Sequence, residues 1–253
     1  GLPKVKINTN RLLVLGAVAV GLFAVIMHFF DNDVIGAVIY TACIVVPAYV
    51  ITDSSLSKIE KQRIWVIFII AFFVIFFWSA FEQAGASLTY FADEQTDRSW
   101  FQSFNPIFVV AFAPLFSMMW LRLGRRNMEP ASPTKQAIGL FLLSLGYLLI
   151  AFGVKGAAPG AKVSMLWLTG LYFIHSMGEL ALSPIGLSMV NKLSPVRFAS
   201  LMMGVWYLSM ATANKFAGVL SGLYPEAGKP KTFLTFQITD LYDFFMVFVA
   251  MSA

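Results

Sequence analysis

Apolar runs of about eighteen residues or more recur along this chain and constrain its fold more than any other feature. Leu12 to Phe30 and Val34 to Ile51 carry no Asp, Glu, Lys or Arg. A helix rises about 1.5 Å per residue, so roughly 20 residues cross a hydrocarbon core of about 30 Å. Further runs follow at Ile64 to about Phe91, Trp100 to Leu121, Ala137 to Val154, about Met165 to Val190 and about Phe198 to Leu220. The longest of them, from Ile64, is expected to tilt. An eighth starts near Leu241 and has only 13 residues to Ala253, too few to span. Composition closes the soluble alternative, since 58% of the 253 residues are hydrophobic and 12% are charged, against about 45–50% and about 25% in soluble domains. Continuous apolar runs satisfy their backbone hydrogen bonds as helices, and none shows the alternation of a barrel strand. The expected fold is an all-α polytopic membrane protein with seven full spans and a stub.

Charge and cysteine usage exclude several function classes. The net charge of +5 would suggest nucleic acid in a soluble protein, but the basic residues sit in short loops between apolar runs. They therefore report topology, and no nucleic-acid partner is expected. Assigned to alternating sides, the loops place twelve basic residues on one side, among them Lys4, Lys6, Arg11, Lys58, Arg122, Arg125, Arg126 and Lys135. The other side holds Arg98, Lys155, Lys162, Lys229 and Lys231 with the acids Asp31, Asp33, Asp93, Glu94, Asp97, Glu226, Asp240 and Asp243. The positive-inside rule puts the N-terminus in the cytoplasm of a multi-pass protein of the cytoplasmic membrane. Cys43 is the single cysteine and His28 and His175 the only histidines, so no internal disulfide, metal site or haem is expected, and no cofactor. The first run resembles a signal peptide behind Lys4, Lys6 and Arg11, but at nineteen residues it exceeds an h-region of about 7 to 15.

Ionisable groups inside spans are costly unless paired, hydrated or neutralised, so they mark chemistry. Three qualify: Glu82, Glu179 and Lys215. The long stem of Lys215 can carry its ammonium toward the outer interface. Glu82 is four residues from Trp78, which puts an aromatic ring and an acid on one helix face. Such a carboxyl either glues helices together or loads and releases a proton as a cavity opens and closes. His175, Glu179 and Ser183 fall at i, i+4 and i+8, a polar stripe on an apolar helix, and Pro184 frees the carbonyl of Leu180. A carboxylate, a hydroxyl and a free carbonyl suit an ammonium group, or form a polar seam against another helix. Asn105, before Pro106, either meets a polar ligand or caps its helix. Trp206 shares a face with Met210 and Asn214 and either walls a pocket or sits in a helix seam. Pro47, Pro106, Pro114 and Pro184 each remove a helical hydrogen bond within a run.

Four strings occur in order: Phe77-Trp78-x-x-Phe81-Glu82-Gln83-Ala84-Gly85, Trp100-Phe101-Gln102-Ser103-Phe104-Asn105-Pro106, Gly178-Glu179-Leu180-x-Leu182-Ser183-Pro184-x-Gly186-Leu187-Ser188, and Gly204-x-Trp206-Tyr207-Leu208. Together they resemble the proton-dependent oligopeptide transporter family of the major facilitator superfamily, most closely its bacterial members. The resemblance implies a cavity, alternately open to each side, in which di- and tripeptides are cotransported with protons. It implies that Glu82 takes part in proton coupling and in salt bridging to an N-terminal bundle, and that Asn105 and Glu179 hold the peptide amino terminus. Trp78 and Trp206 resemble walls of side-chain pockets, and Ser183 a polar lining residue. Residues 12–51 resemble an inserted helical hairpin, flanked by cytoplasmic linkers at 1–11 and 52–63. Residues 64–253 resemble the C-terminal six-helix bundle with its last helix truncated.

Nothing in the chain resembles the family's first six helices, with their Glu-x-x-Glu-Arg motif and the cations that grip the peptide carboxylate. The chain is thus expected to be the C-terminal part of a transporter, with a missing N-terminal six-helix bundle as partner, and not to transport alone. Two alternatives stay open: a major facilitator carrier for another solute, of the nitrate or glucoside type, and a non-transporting membrane subunit. An enzyme is not expected, because the spans lack a His/Asp dyad, paired aspartates or a Ser/His pair with an orienting group.

Overall fold

Side chains set the helix boundaries, chiefly by capping. In a computed structural model, residues 9–29, 33–96, 100–157, 161–226 and 229–253 are described. Lys4, Lys6, Phe30, Asp31, Asp97, Arg98 and most of the expected linker 1–11 lie outside them. Helices α1 (Thr9–Phe29) and α2 (Val34–Ile51) form the first hairpin. Asp33 caps α2 by accepting the Gly36 N–H at 3.0 Å. Ser57 and Glu60 open α3 (Lys58–Phe81) with a capping box, Ser57 Oγ accepting the Glu60 N–H and Glu60 the Ser57 N–H. Then follow α4 (Ser87–Thr96), α5 (Phe104–Arg125), α6 (Ser132–Val154), α7 (Met165–Leu193), α8 (Ala199–Ser221) and α9 (Leu241–Ser252). A hairpin of β1 (Lys231–Phe233) against β2 (Phe236–Ile238) joins α8 to α9, a small departure from an all-helical expectation. Its strands are too short for their alternation to stand out in the sequence.

Two spans differ from expectation. The single tilted helix expected from Ile64 to Phe91 is instead α3 and α4, separated by a 3-10 turn at Glu82–Gly85. The run expected from Trp100 begins as a 3-10 turn, Trp100–Ser103, before α5. Helices α2, α5 and α7 continue through Pro47, Pro114 and Pro184. Among the described residues five segments are long and apolar enough to cross a membrane: Thr9–Phe29, Val34–Ile51, Lys58–Glu94, Phe104–Arg125 and Ser132–Val154. Helices α7 and α8, with 29 and 23 residues, stand where spans were expected but are not among the five. Their polar residues, Glu179 and Lys215 included, dilute the apolar signal.

The chain divides into two compact units, Gly1–Ile75 with Leu187–Lys215, and Phe76–Gly186 with Phe216–Ala253. Helices α3, α7 and α8 each contribute to both. In the first unit, α1 buries none of its residues against the rest of the chain. Polar contacts hold the α1–α2 hairpin at both ends. Arg11 pairs with Asp53 at 2.8 Å and its guanidinium lies 4.5 Å from the Tyr49 ring. Lys215 of α8 pairs with Asp33 at 2.5 Å, so its ammonium ends on the cap of α2. Between them Cys43 Sγ and Thr212 Oγ1 lie 2.9 Å apart.

The second unit is organised by a glycine at every seventh position of α6. A Cβ on Gly139 would stand 2.8 Å from the Leu182 side chain and 3.0 Å from the Gly178 carbonyl oxygen. One on Gly146 would meet the His175 ring at 2.5 Å, and one on Gly153 the Trp167 ring at 2.5 Å. All three contacts are with α7, so the glycines let two backbones approach where side chains would hold them apart. The opposite partner of α6 is α9, where Tyr147 stacks on Phe248 at 4.8 Å between ring centroids and Ser144 Oγ donates to the Val249 carbonyl at 3.2 Å.

Asp53 lies beyond the end of α2, outside the spans. Burial pushes its carboxyl up from 3.8, but the Ser55 hydroxyl, the Arg11 guanidinium and the Ser55 N–H together hold it at about 2. A depressed carboxyl stabilises above its ordinary value and loses that contribution as pH falls through its folded value. Hydrogen exchange at residues 50–55 is therefore expected to accelerate between about pH 4 and about pH 2. Asp53→Asn should remove that pH dependence, and an unchanged profile in the variant would show that Asp53 is not its source.

Candidate functional site

The site begins with a broken helix in the second unit. Interrupting a helix inside a membrane frees backbone carbonyls that only side chains or water can satisfy. Here Gln83, fully buried, donates to the carbonyls of Ser79 at 3.1 Å and Ala217 at 3.0 Å and accepts from Ser87 Oγ at 2.6 Å. Tyr147 Oη donates to the Ala80 carbonyl at 2.6 Å, and Thr89 Oγ1 to that of Ala84 at 2.9 Å. Tyr172 Oη reaches the same Ala84 carbonyl at 3.5 Å. The break is thus built by its surroundings.

Glu82 stands at the first position of this turn and is exposed. Among the described residues no hydrogen bond or ion pair engages its carboxylate. The α-helical face that Glu82 was expected to share with Trp78 ends at Phe81, because the chain unwinds there. Trp78 is half-buried and packs edge-on against Phe77 and Phe81, each at 5.4 Å between centroids.

Asn105 and Glu179 are brought together from α5 and α7. The Asn105 side-chain amide donates to Glu179 Oε2 at 2.9 Å and to Ser176 Oγ at 3.1 Å. Asn105 is therefore not a cap; the N-cap position of α5 is Ser103. Ser176, fully buried, donates its own proton to the Tyr172 carbonyl at 2.7 Å and so presents lone pairs to the amide. His175 is 3% exposed, donates Nε2–H to the Leu143 carbonyl at 3.2 Å and packs on Tyr147 at 4.7 Å, a structural role. A cavity of about 190 Å³ opens between the broken turn and α5, lined by Phe81, Ala84, Gly85, Asn105, Tyr172 and His175 among others.

Ser183 and Trp206, also expected at the site, have other surroundings within their own units. Ser183 is half-buried on α7 and does not line the cavity. Trp206 belongs to the first unit, where it is 3% exposed, the environment of a helix seam. Gln83 and Ser176 escaped the sequence reading. Gln83 adjoins Glu82 and could have been found by asking what would satisfy a helix broken at Ala84-Gly85-Ala86; Ser176 lies three residues before Glu179 and carries no signal of its own.

The second unit thus sets a broken helix beside an acid–amide pair among apolar membrane helices. Residues 10–234 match the POT family. The chain is 35% identical over 185 residues to the peptide transporter YePEPT of Yersinia enterocolitica, covering 69% of this chain and 36% of that protein. It is 31% identical over 172 residues to dipeptide and tripeptide permease A of Escherichia coli, covering 64% and 34%. The crystal structure of a peptide transporter POT in complex with sulfate aligns with a TM-score of 0.71 at 27% identity, over 96% of this chain and 50% of that one. The chain belongs to the POT family. It spans about half the length of the solved relative and just over a third of the two curated ones.

Replacing Gln83 by Leu leaves two buried carbonyls and the Ser87 hydroxyl without their partner. A melting temperature in detergent is expected to fall by the equivalent of about 1–3 kcal/mol. Glu82→Gln, at an exposed position, should change stability by less than about 0.5 kcal/mol. Equal losses would mean that Gln83 does not hold the break.

Proposed function

We propose that the chain forms the C-terminal part of a proton-coupled symporter of di- and tripeptides that works by alternating access in the cytoplasmic membrane. The observation that carries the reading is the 2.9 Å bond from Asn105 to Glu179, which ties an amide on α5 to a carboxylate on α7. With Oε2 occupied, Glu179 Oε1 is left to receive a peptide ammonium. Family membership and relatives named peptide transporter and dipeptide and tripeptide permease support the substrate class. In this reading residues 12–51 are the inserted hairpin, 52–63 a linker and 64–253 the bundle, with the N-terminus of the chain in the cytoplasm. The family length that this chain does not match supplies a six-helix partner bundle and the cations for the peptide carboxylate. Trp78 walls a side-chain pocket and Ser183 contributes a hydroxyl. Trp206 enters the proposal on resemblance.

Glu82 is the proton carrier in this reading. It sits where the helix unwinds, is exposed, and has no partner among the described residues. Deprotonated, it pairs with a cation of the partner bundle; protonated, it releases that bundle so that the site exchanges with the outside. Protons are the coupling ion and no cofactor takes part.

In the complete transporter, Glu82→Gln is expected to abolish proton-driven accumulation of a dipeptide while leaving exchange of labelled for unlabelled peptide. Undiminished accumulation would sink the assignment. Glu179→Gln should weaken binding of free-amine dipeptides about tenfold or more, the scale of a charged hydrogen bond. N-acetylated dipeptides should lose much less, and equal losses for both would remove the ammonium contact.

A further inference from the structure

A second cavity, of about 580 Å³, lies at the end of α5 that carries the arginines, away from the acid–amide pair. Its walls include Phe116, Trp120, Leu180 and Pro184, and Ser117, Arg125 and Glu129 also line it. The fold builds this place deliberately. Helix α5 ends in a Schellman turn: Asn127 takes φ 54°, Asn127 N–H donates to the Gly124 carbonyl at 3.1 Å and Met128 N–H to that of Leu123 at 2.9 Å. The turn folds Glu129 back onto Gly124, where a Cβ would stand 3.0 Å from the carboxylate.

The charges there are unbalanced. Lys135, 6% exposed, holds Glu129 in an ion pair and lays its ammonium 4.4 Å from the centre of the Trp120 ring. With Glu129 neutralised, Arg125 is the uncompensated charge at the rim. Among the described residues no carboxylate pairs with Arg125, nor with Arg122 and Arg126 beside it. Arg125 is exposed at the mouth of the recess. A guanidinium without a carboxylate partner among the described residues, over an apolar recess, calls for an anion that brings its own apolar stem.

We infer that this recess binds the headgroup of an anionic phospholipid, its phosphodiester on the Arg125 guanidinium. The guanidinium fork matches two phosphate oxygens, which an ammonium cannot do. The glycerol and first acyl carbons lie against Phe116, Leu180 and Pro184. Helix α5 buries none of its own residues, so an acyl chain can run along it. The volume lies within the range of about 300–1,000 Å³ typical of small-ligand sites. Basic recesses between membrane helices favour anionic headgroups by the same physics.

The test is native mass spectrometry of the complete transporter equilibrated with equal phosphatidylglycerol and phosphatidylcholine. Phosphatidylglycerol is expected to be retained preferentially. Arg125→Gln should lower that preference about fivefold, the scale of one cation at a membrane surface. Trp120→Phe, which keeps an aromatic ring under Lys135, should leave it unchanged. Arg122→Gln, off the cavity, should leave it unchanged. Since Arg125 is exposed and has no ion-pair partner among the described residues, its replacement leaves the fold intact. Four outcomes would overturn the inference: no preference in the parent, equal losses for Arg125→Gln and Arg122→Gln, displacement of the lipid by millimolar inorganic phosphate, or cross-linking of Ser117→Cys to another segment of the polypeptide.

Discussion

A backbone carbonyl inside a bilayer cannot be left to the solvent, and the rest of this structure follows from how that rule is met at one turn. Between Glu82 and Gly85 the helix gives up its regular hydrogen bonds. The carbonyls it frees are taken by Gln83, Thr89, Tyr147 and Tyr172. Two of those donors come from α6 and α7, so the acid at the break is held by the same packing that forms the core of the second unit. An unbroken helix would have kept Glu82 on a regular face; the turn sets it on an exposed corner beside a cavity.

Packing then decides where the second acid lies. Glycines at 139, 146 and 153 bring α7 against α6 closely enough for His175 and Trp167 to fill the space where side chains would stand. His175 is spent on this contact, bonded to Leu143 and stacked near Tyr147. Glu179, one turn further along α7, is thereby left to face Asn105 of α5. Neighbouring polar residues on one helix thus serve opposite purposes, one closing the core and the other exposing a carboxylate. The close approach of α6 and α7 also shows why small residues matter more in lipid than in water, since van der Waals contact must substitute for a hydrophobic driving force.

Much of the architecture was legible in the chain, for reasons that are specific. Apolar runs announce helices because nothing else satisfies the backbone in lipid, and α1, α2, α6 and α7 begin or end within a few residues of the runs. Glu82 and Glu179 stood out because charge is rare in such surroundings. The break after Phe81 did not, because its signals, a glycine among small residues and a glutamine, are weak until the donors from α6 and α7 are in place. The pairing of Asn105 with Glu179 joins positions 74 residues apart and carries no local pattern. Lys215 was read as a side chain reaching for the interface, and what it reaches is the carboxylate of Asp33. The glycine heptad of α6 was readable as a period and simply lies outside the vocabulary of hydrophobic patterning.

The two ion pairs of the first hairpin differ in when they can form. Arg11 and Asp53 are both made by the time α2 is complete, so the hairpin can close its own lower end as it enters the bilayer. Asp33 must wait for Lys215, which emerges from the ribosome about 180 residues later, or roughly 10–40 s at ordinary synthesis rates. The contact that ties α8 to the cap of α2 is therefore absent from the hairpin alone and can form only after most of the chain has been made.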